Sequence, residues 1–135
     1  MILNEIREIN RKVENYLKDN LKDYNISIGQ WELIKMIFQS VNLELNAQTL
    51  EKQLKVDKRT LSINLAKLEK QGLILRGNSE EDRRKKQIML TDYTMEVAED
   101  LLSIEKEINE TIIQLLEDKE KFNQELNSLN NGLWD

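Results

Sequence analysis

The order of signals between Leu50 and Leu90 limits this chain more than any other feature. A short helical pattern, Ala47 to Leu54, gives way to a turn at Val56. Asp57 is a good N-cap for the next helix, and Leu61, Leu65 and Leu68 recur at spacings of four and three. That is one buried stripe on a helix from Asp57 to Gln71. Gly72 stops the helix. Leu73-Ile74-Leu75 then reads as a short apolar strand, Arg76 to Lys86 as a charged ribbon with a tight turn permitted at Gly77-Asn78, and Gln87 to Leu90 as a second strand.

Helix, turn, helix, strand, charged loop, strand is the order of a winged helix-turn-helix. The rest of the chain is predicted to be helical. Its 135 residues contain no proline and four glycines, which favours long uninterrupted helices over a turn-rich β protein. The expected class is mainly α with a small β-wing. A winged helix-turn-helix over residues 27–91 is flanked by an N-terminal dimerisation helix over 1–24 and C-terminal helices of the dimerisation region over 92–135, in one intertwined domain.

Composition excludes several functions. Without cysteine there is no disulfide and no thiolate sensor, and without histidine the usual metal ligand and general base are missing. No glycine-rich phosphate loop and no supported pair of acids is present, so an enzyme is not expected, nor a metal or cofactor. No apolar run approaches the roughly 18 residues of a membrane span. With no signal peptide at its head, the chain is expected to be cytoplasmic.

The net charge of −5 argues against a nucleic-acid partner, but its distribution argues for one. Residues 1–54 carry 7 basic and 8 acidic groups, and residues 87–135 carry 3 basic and 12 acidic. Residues 55–86 carry 10 basic and 5 acidic, a local surplus of five cations. Screening over about 8–10 Å lets such a patch act toward phosphate on an otherwise acidic molecule.

Both ends of the chain carry regular apolar seams. Ile2, Ile6, Ile9, Val13 and Tyr16 are spaced four, three, four and three, and Leu21 and Tyr24 come after them. Such a seam packs on its own domain or on a second chain. Ser27-Ile28-Gly29-Gln30 has the spacing of a capping box for a helix to about Ser40, with Trp31, Leu33, Ile34, Ile37, Phe38 and Val41 on a wide apolar face. Leu43 to Leu45 reads as extended, and Asn46 can cap the next helix. Thr91 caps a long helix bearing Val97, Leu101, Ile104, Ile108, Ile112 and Leu115. The pattern breaks around Glu117 to Glu120. A last helix places Phe122, Leu126, Leu129 and Leu133 on one side, with Asn131-Gly132 as its stop. Trp134 beyond it needs an apolar partner.

On the helix from Asp57, the face opposite the leucines holds Arg59, Ile63, Ala66 and Lys70, flanked by Ser62, Thr60 and Lys67. A solvated helix back is usually charged along its length. Here the middle is small or apolar with cations around it, which suits close approach to a groove, a thymine methyl and flanking phosphates. The plainer reading is that Ile63 tucks against a neighbouring element. In the ribbon, three acids precede four cations. As a hairpin tip these would form weak internal ion pairs. As a wing, Asp82 would orient the arginines along a phosphate backbone or into a minor groove.

Val56-Asp57-Lys58-Arg59-Thr60-Leu61-Ser62, Leu68-Glu69-Lys70-Gln71-Gly72-Leu73-Ile74, Arg76, Ser79, Asp82-Arg83-Arg84 and Leu90-Thr91 together resemble the MarR family, the multiple antibiotic resistance regulators, which are bacterial winged-helix transcription factors. The motif region covers about a third of the chain. The staphylococcal accessory regulator group shares this architecture, and these residues do not separate the two. The resemblance implies a homodimer with interlocking first and last helices, so that Ile2, Ile6, Ile9, Val13, Phe122, Leu126, Leu129, Leu133 and Trp134 would meet a second chain. It implies DNA reading by the Asp57–Gln71 helix in the major groove, with Lys58, Arg59, Thr60, Ser62, Ile63, Asn64, Ala66 and Lys67 as the contact set. Gln48 and Thr49 would touch the backbone. Arg76, Arg83, Lys85 and Lys86 would line the wing, with Arg84 in the minor groove and Asp82 pairing with it. Ile63 stands where the family often has a basic residue, and Thr94 where it usually has glycine. The first departure bears on base preference, the second on the start of the long helix.

The leading expectation is therefore a dimeric regulator of an inverted repeat in double-stranded DNA, acting as a repressor. The alternative is a protein-interaction module, an anti-repressor or adaptor on a degenerate winged helix. The five surplus cations favour the first, because the second has no need of them. Many relatives bind small aromatic or phenolic effectors, and Tyr16, Trp31 and Met36 are the candidates to line such a crevice here. Each reads equally well as core.

Overall fold

The computed structural model describes residues 1–40, 47–78 and 86–134, with backbone alone at residues 47, 48, 78 and 86. Helix α1 spans Ile2–Leu21 and runs into a 3-10 turn, Lys22–Tyr24; α2 spans Ile28–Gln39, α3 Ala47–Leu54 and α4 Lys58–Lys70. Strands β1, Ile74–Asn78, and β2, Lys86–Leu90, precede α5, Asp92–Gln114, and α6, Lys119–Gly132. The chain divides into two compact units, Met1–Leu102 and Ser103–Asp135.

The core of the first unit draws on all of its α-helices and both strands, while the 3-10 turn buries no side chain. Leu17 and Leu21 of α1, Trp31, Leu33, Ile34 and Ile37 of α2, and Leu50 of α3 are buried. So are Leu61, Leu65 and Leu68 of α4, Ile74 and Ile88 of the hairpin, and Val97, Ala98 and Leu101 of α5. The leucine stripe of α4 thus faces inward as its spacing requires. Full burial of one such side chain is worth about 1.5–3 kcal/mol, so α4 is held chiefly by this stripe.

Caps fix where the helices begin and end. The Ser27 hydroxyl accepts from the Gln30 N–H at 3.1 Å, and the Ser27 N–H donates to Gln30 Oε1 at 3.0 Å, a reciprocal capping box. Asp57 accepts from the Thr60 N–H at 2.7 Å at the start of α4. At its end Gly72 adopts φ +74°, with Gly72 N–H donating to Glu69 O and Leu73 N–H to Leu68 O. That is a Schellman motif, and its left-handed residue favours glycine. The α1 segment ends the same way with an asparagine: Asn25 has φ +54°, its N–H donates to Lys22 O, and that of Ile26 to Leu21 O. Asp118 caps α6 by accepting from the Lys121 N–H at 3.1 Å.

The hairpin is antiparallel, pairing Ile74 with Leu90, Arg76 with Ile88 and Asn78 with Lys86. Two expectations need correction. Leu73 does not belong to the strand, because its N–H is taken by the Schellman bond. Gly77-Asn78 is not the turn either. Both residues pair within β1, against Gln87 and Lys86, so the strand continues past the apolar triplet. The first residues of α5 also differ from the expected simple cap. Thr91 stands at the cap position, but its hydroxyl lies 3.1 Å from Gly72 O, 3.3 Å from Leu73 O and 2.8 Å from the Thr94 hydroxyl. Thr94, in the place where glycine is usual, is fully buried beneath it. At the far end, Gly132 remains helical and the stop falls on Leu133, which is extended.

In the second unit, Ile104, Ile108 and Ile112 are half-buried, and Leu115 is exposed. Among the described residues no helix is long and apolar enough to cross a membrane. The expected extended stretch at Leu43 to Leu45, the Asn46 cap and the apolar position Val41 lie outside the described residues.

Candidate nucleic-acid interface

Helix α4 presents two contrasting faces. Leu61, Leu65 and Leu68 point into the core, while Lys58, Arg59, Thr60, Ser62, Ile63, Ala66 and Lys67 are exposed and Asn64 is half-buried. Ile63 is 47% exposed, which sets aside the plainer reading that a neighbouring element covers it. The outward face therefore carries one aliphatic residue among small and cationic ones, a surface a helix can press against a polyanion.

The start of this helix is electrostatically set. Hydrogen bonds from the Thr60 backbone N–H first, then from the Thr60 side chain, and less strongly from the Arg59 N–H, hold the Asp57 carboxyl below the usual aspartate range. The preceding turn is tight: Lys55 takes a left-handed conformation at φ +53°, and Val56 is half-buried. In α3, Thr49 is half-buried. The Gln48 side chain lies outside the described residues.

On the hairpin, Arg76 is tied back to α4 through Glu69, with Nη2 3.3 Å from Oε1 and Nε 3.4 Å from Oε2. This fixes the root of the wing to the helix that precedes it. Asp82, Arg83, Arg84 and Lys85 lie outside the described residues, as does the Lys86 side chain. The opposite face of the hairpin is apolar: Leu75 and Met89 are cross-strand partners, and both are exposed.

A polar network behind α4 has no counterpart among the sequence-based expectations. Gln30 Nε2 donates to Gln71 Oε1 at 2.9 Å, and Gln71 Nε2 donates to the Asn25 carbonyl at 3.0 Å. These bonds join residues 41 and 46 positions apart, so no local spacing announces them. The one available signal is the left-handed propensity of Asn25.

Tyr16, Trp31 and Met36 occupy different surroundings. Trp31 is fully buried, Met36 is half-buried and Tyr16 is exposed. A cavity of about 480 Å³ lies instead among Lys22, Asn25, Ile26, Ser27, Gln30, Asn64, Lys67, Lys70 and Gln71, and none of the three lines it. Among the seam residues, Ile2, Ile6 and Ile9 are exposed and Val13 is half-buried. In the second unit, Phe122 is half-buried, Leu126, Leu129 and Leu133 are exposed, and Trp134 is 88% exposed. Among the described residues there is no group of three or more acidic side chains placed to hold a metal ion.

The sequence profile of the MarR family matches residues 26–86, from just before the capping box of α2 through the hairpin. The transcriptional regulator SarZ of Staphylococcus saprophyticus is 32% identical over 102 residues, which is 76% of this chain and 66% of that protein. The chain belongs to the MarR family. MarR-family proteins are transcription regulators rather than enzymes, and solved regulators share the fold. The Staphylococcus aureus regulator MepR in its DNA complex superposes with a TM-score of 0.86 at 23% identity, covering 98% of both chains. MepR in its DNA-binding conformation gives 0.81 at 24% identity, covering 97% of this chain and 95% of that one. The match to SarZ spans about two thirds of that regulator's length.

Proposed function

We propose that this MarR-family chain is a sequence-specific DNA-binding transcription regulator that acts as a homodimer in the cytoplasm and represses from an inverted-repeat operator. The observation that carries the reading is the outward face of α4. Arg59, Ser62, Ile63 and Ala66 are exposed together on a helix whose opposite face is locked into the core. Seated in a major groove, this face brings small and apolar atoms to base edges and cations to the flanking phosphates. The related regulator MepR has been seen in complex with DNA, which supports the same use here. Two copies related by a two-fold axis would set half-sites about 34–36 Å apart. The exposed seam at Ile2, Ile6 and Ile9 is the surface available for that pairing within the first unit.

The deciding experiment is selection of bound duplexes from a random library at moderate salt. Recovery of an inverted repeat with half-sites one helical turn apart is the expected result. Absence of any enriched sequence, with no shift of random duplex at low salt, would favour a protein-interaction module. The cationic tip of the wing is tested in the same assay. Arg84→Ala is expected to weaken operator binding by about tenfold, the cost of one good arginine contact, while the dimer persists.

A further inference from the structure

The cavity behind α4 has a composition that α4's own packing does not require. It lies between the 3-10 turn after α1, the start of α2 and one flank of α4. Its walls include three lysines, Lys22, Lys67 and Lys70, and no carboxylate. Four carboxamides, from Asn25, Gln30, Asn64 and Gln71, join them. Neither Lys67 nor Lys70 has an ion-pair partner among the described residues, and Lys22 lies 3.5 Å from the exposed Asp19 carboxylate. Gln30, 6% exposed, and Gln71 each commit one N–H of the side-chain amide to the network described above, which leaves a second donor on each. Half-buried Asn64 has no hydrogen-bond partner for its side chain among the described residues.

Lysines near helix ends often do no more than complement the helix dipole. That accounts for only part of the charge here. Two helix C-termini contribute about half a negative charge each, and the α2 N-terminus about half a positive one. With Asp19 offsetting part of Lys22, the cleft keeps a surplus of about one to two positive charges. A surplus of cations together with spare amide donors suits a tetrahedral oxyanion, which takes several donors from different directions.

We propose that this cleft is a phosphate-binding site. On the α4 wheel its wall, Asn64 and Lys67, lies to one side of the face at Arg59, Ser62, Ile63 and Ala66. A helix in a groove about 12 Å wide has a phosphate backbone on each side. The phosphoryl group therefore comes either from the DNA strand bordering the groove, which rests on the function proposed above, or from a free phosphorylated small molecule.

The test uses the full chain and the double variant Lys22→Gln/Lys70→Gln, which alters two exposed side chains and leaves the fold intact. Inorganic phosphate is titrated at constant ionic strength while backbone and side-chain amide resonances are monitored. Saturable shifts confined to Asn25, Gln30, Asn64 and Gln71, weakened at least about tenfold in the variant, are expected. In parallel, the salt dependence of DNA affinity is compared between the two proteins. A log–log slope reduced by about two, one phosphate for each cleft of a dimer, assigns the phosphoryl group to the DNA backbone. An unchanged slope with saturable phosphate shifts assigns it to a free molecule. An unchanged slope with no saturable shift overturns the proposal. Saturable shifts in a protein that binds no DNA would overturn the regulator reading and leave the phosphate site standing.

Discussion

Two helices of this protein expose isoleucine, and they do so for opposite reasons. Along the N-terminal half of α1, Ile2, Ile6 and Ile9 are exposed at heptad spacing, with Met1 and Leu3 beside them. On α4, Ile63 is alone, bordered by Arg59, Ser62, Ala66 and Lys67. The first surface is continuous and apolar, and only another apolar surface can remove it from water. The second has too little apolar area to drive association and too much cation around it to suit an apolar partner. An exposed aliphatic residue is therefore read from its margins. A row of its own kind predicts a protein partner, and a ring of small and cationic groups predicts a charged one.

This contrast can be broken in order of expected effect. Ile6→Glu with Ile9→Glu removes two apolar contacts of about 1.5–3 kcal/mol each and places carboxylates in the seam. The dimer dissociation constant is expected to rise by about a hundredfold or more, as read by sedimentation equilibrium. A dimer that survives unchanged would move the interface away from α1. Ile63→Glu should do the reverse, leaving the dimer intact. By setting a carboxylate against the phosphates it should weaken DNA binding by about ten- to a hundredfold in a gel shift. If Ile63→Glu instead dissolved the dimer, the two surfaces would have been assigned the wrong way round.

Smaller effects test the supports rather than the surfaces. Ser27→Ala removes one arm of the capping box on α2 and is expected to cost about 1 kcal/mol in denaturant unfolding. The smallest effect is the acid titration of Asp57. Its folded-state pKa is lowered by hydrogen bonds from the α4 N–H groups, so its contribution to stability is present above the ordinary aspartate value of about 3.9. That contribution is lost as pH falls through the lowered folded value. Asp57→Asn keeps a capping side chain without the titration, and its melting temperature should fall less steeply over that acid range than that of the unaltered protein.

The features legible in the sequence are those that depend on neighbours along the chain. The Leu61, Leu65 and Leu68 stripe, the Ser27–Gln30 box, the Asp57 cap and the stop at Gly72 are all local, and each stands in the structure where its spacing puts it. Errors arise where local signals are ambiguous. Glycine before asparagine suits a tight turn, yet Gly77 and Asn78 pair in β1, because nothing in a dipeptide says how far a ladder extends. An Asn-Gly pair near the end of α6 likewise marks the right place but the wrong residue, since the helix ends on extended Leu133. Periodicity does not distinguish the surroundings of Tyr16, Trp31 and Met36. The Gln30–Gln71–Asn25 bonds and the phosphate cleft depend on contacts across the fold and leave no periodic trace. Arg76 is visible as a cation but not as the partner of Glu69, for the same reason.

The end of α4 is held from three directions. Gln71 reaches Asn25 after α1 and receives Gln30 of α2, while Thr91 before α5 is bonded to the carbonyls around Gly72. The helix is thus seated along its inner face by the leucine stripe, pinned at its C-terminal end and bare along its outward edge. Side chains on that edge can be exchanged over evolutionary time without changing the angle at which the helix is set. A lineage could acquire a new binding preference by altering Ser62, Ile63 or Ala66 alone, while a change at Gln71 or Thr91 would re-aim every one of them at once.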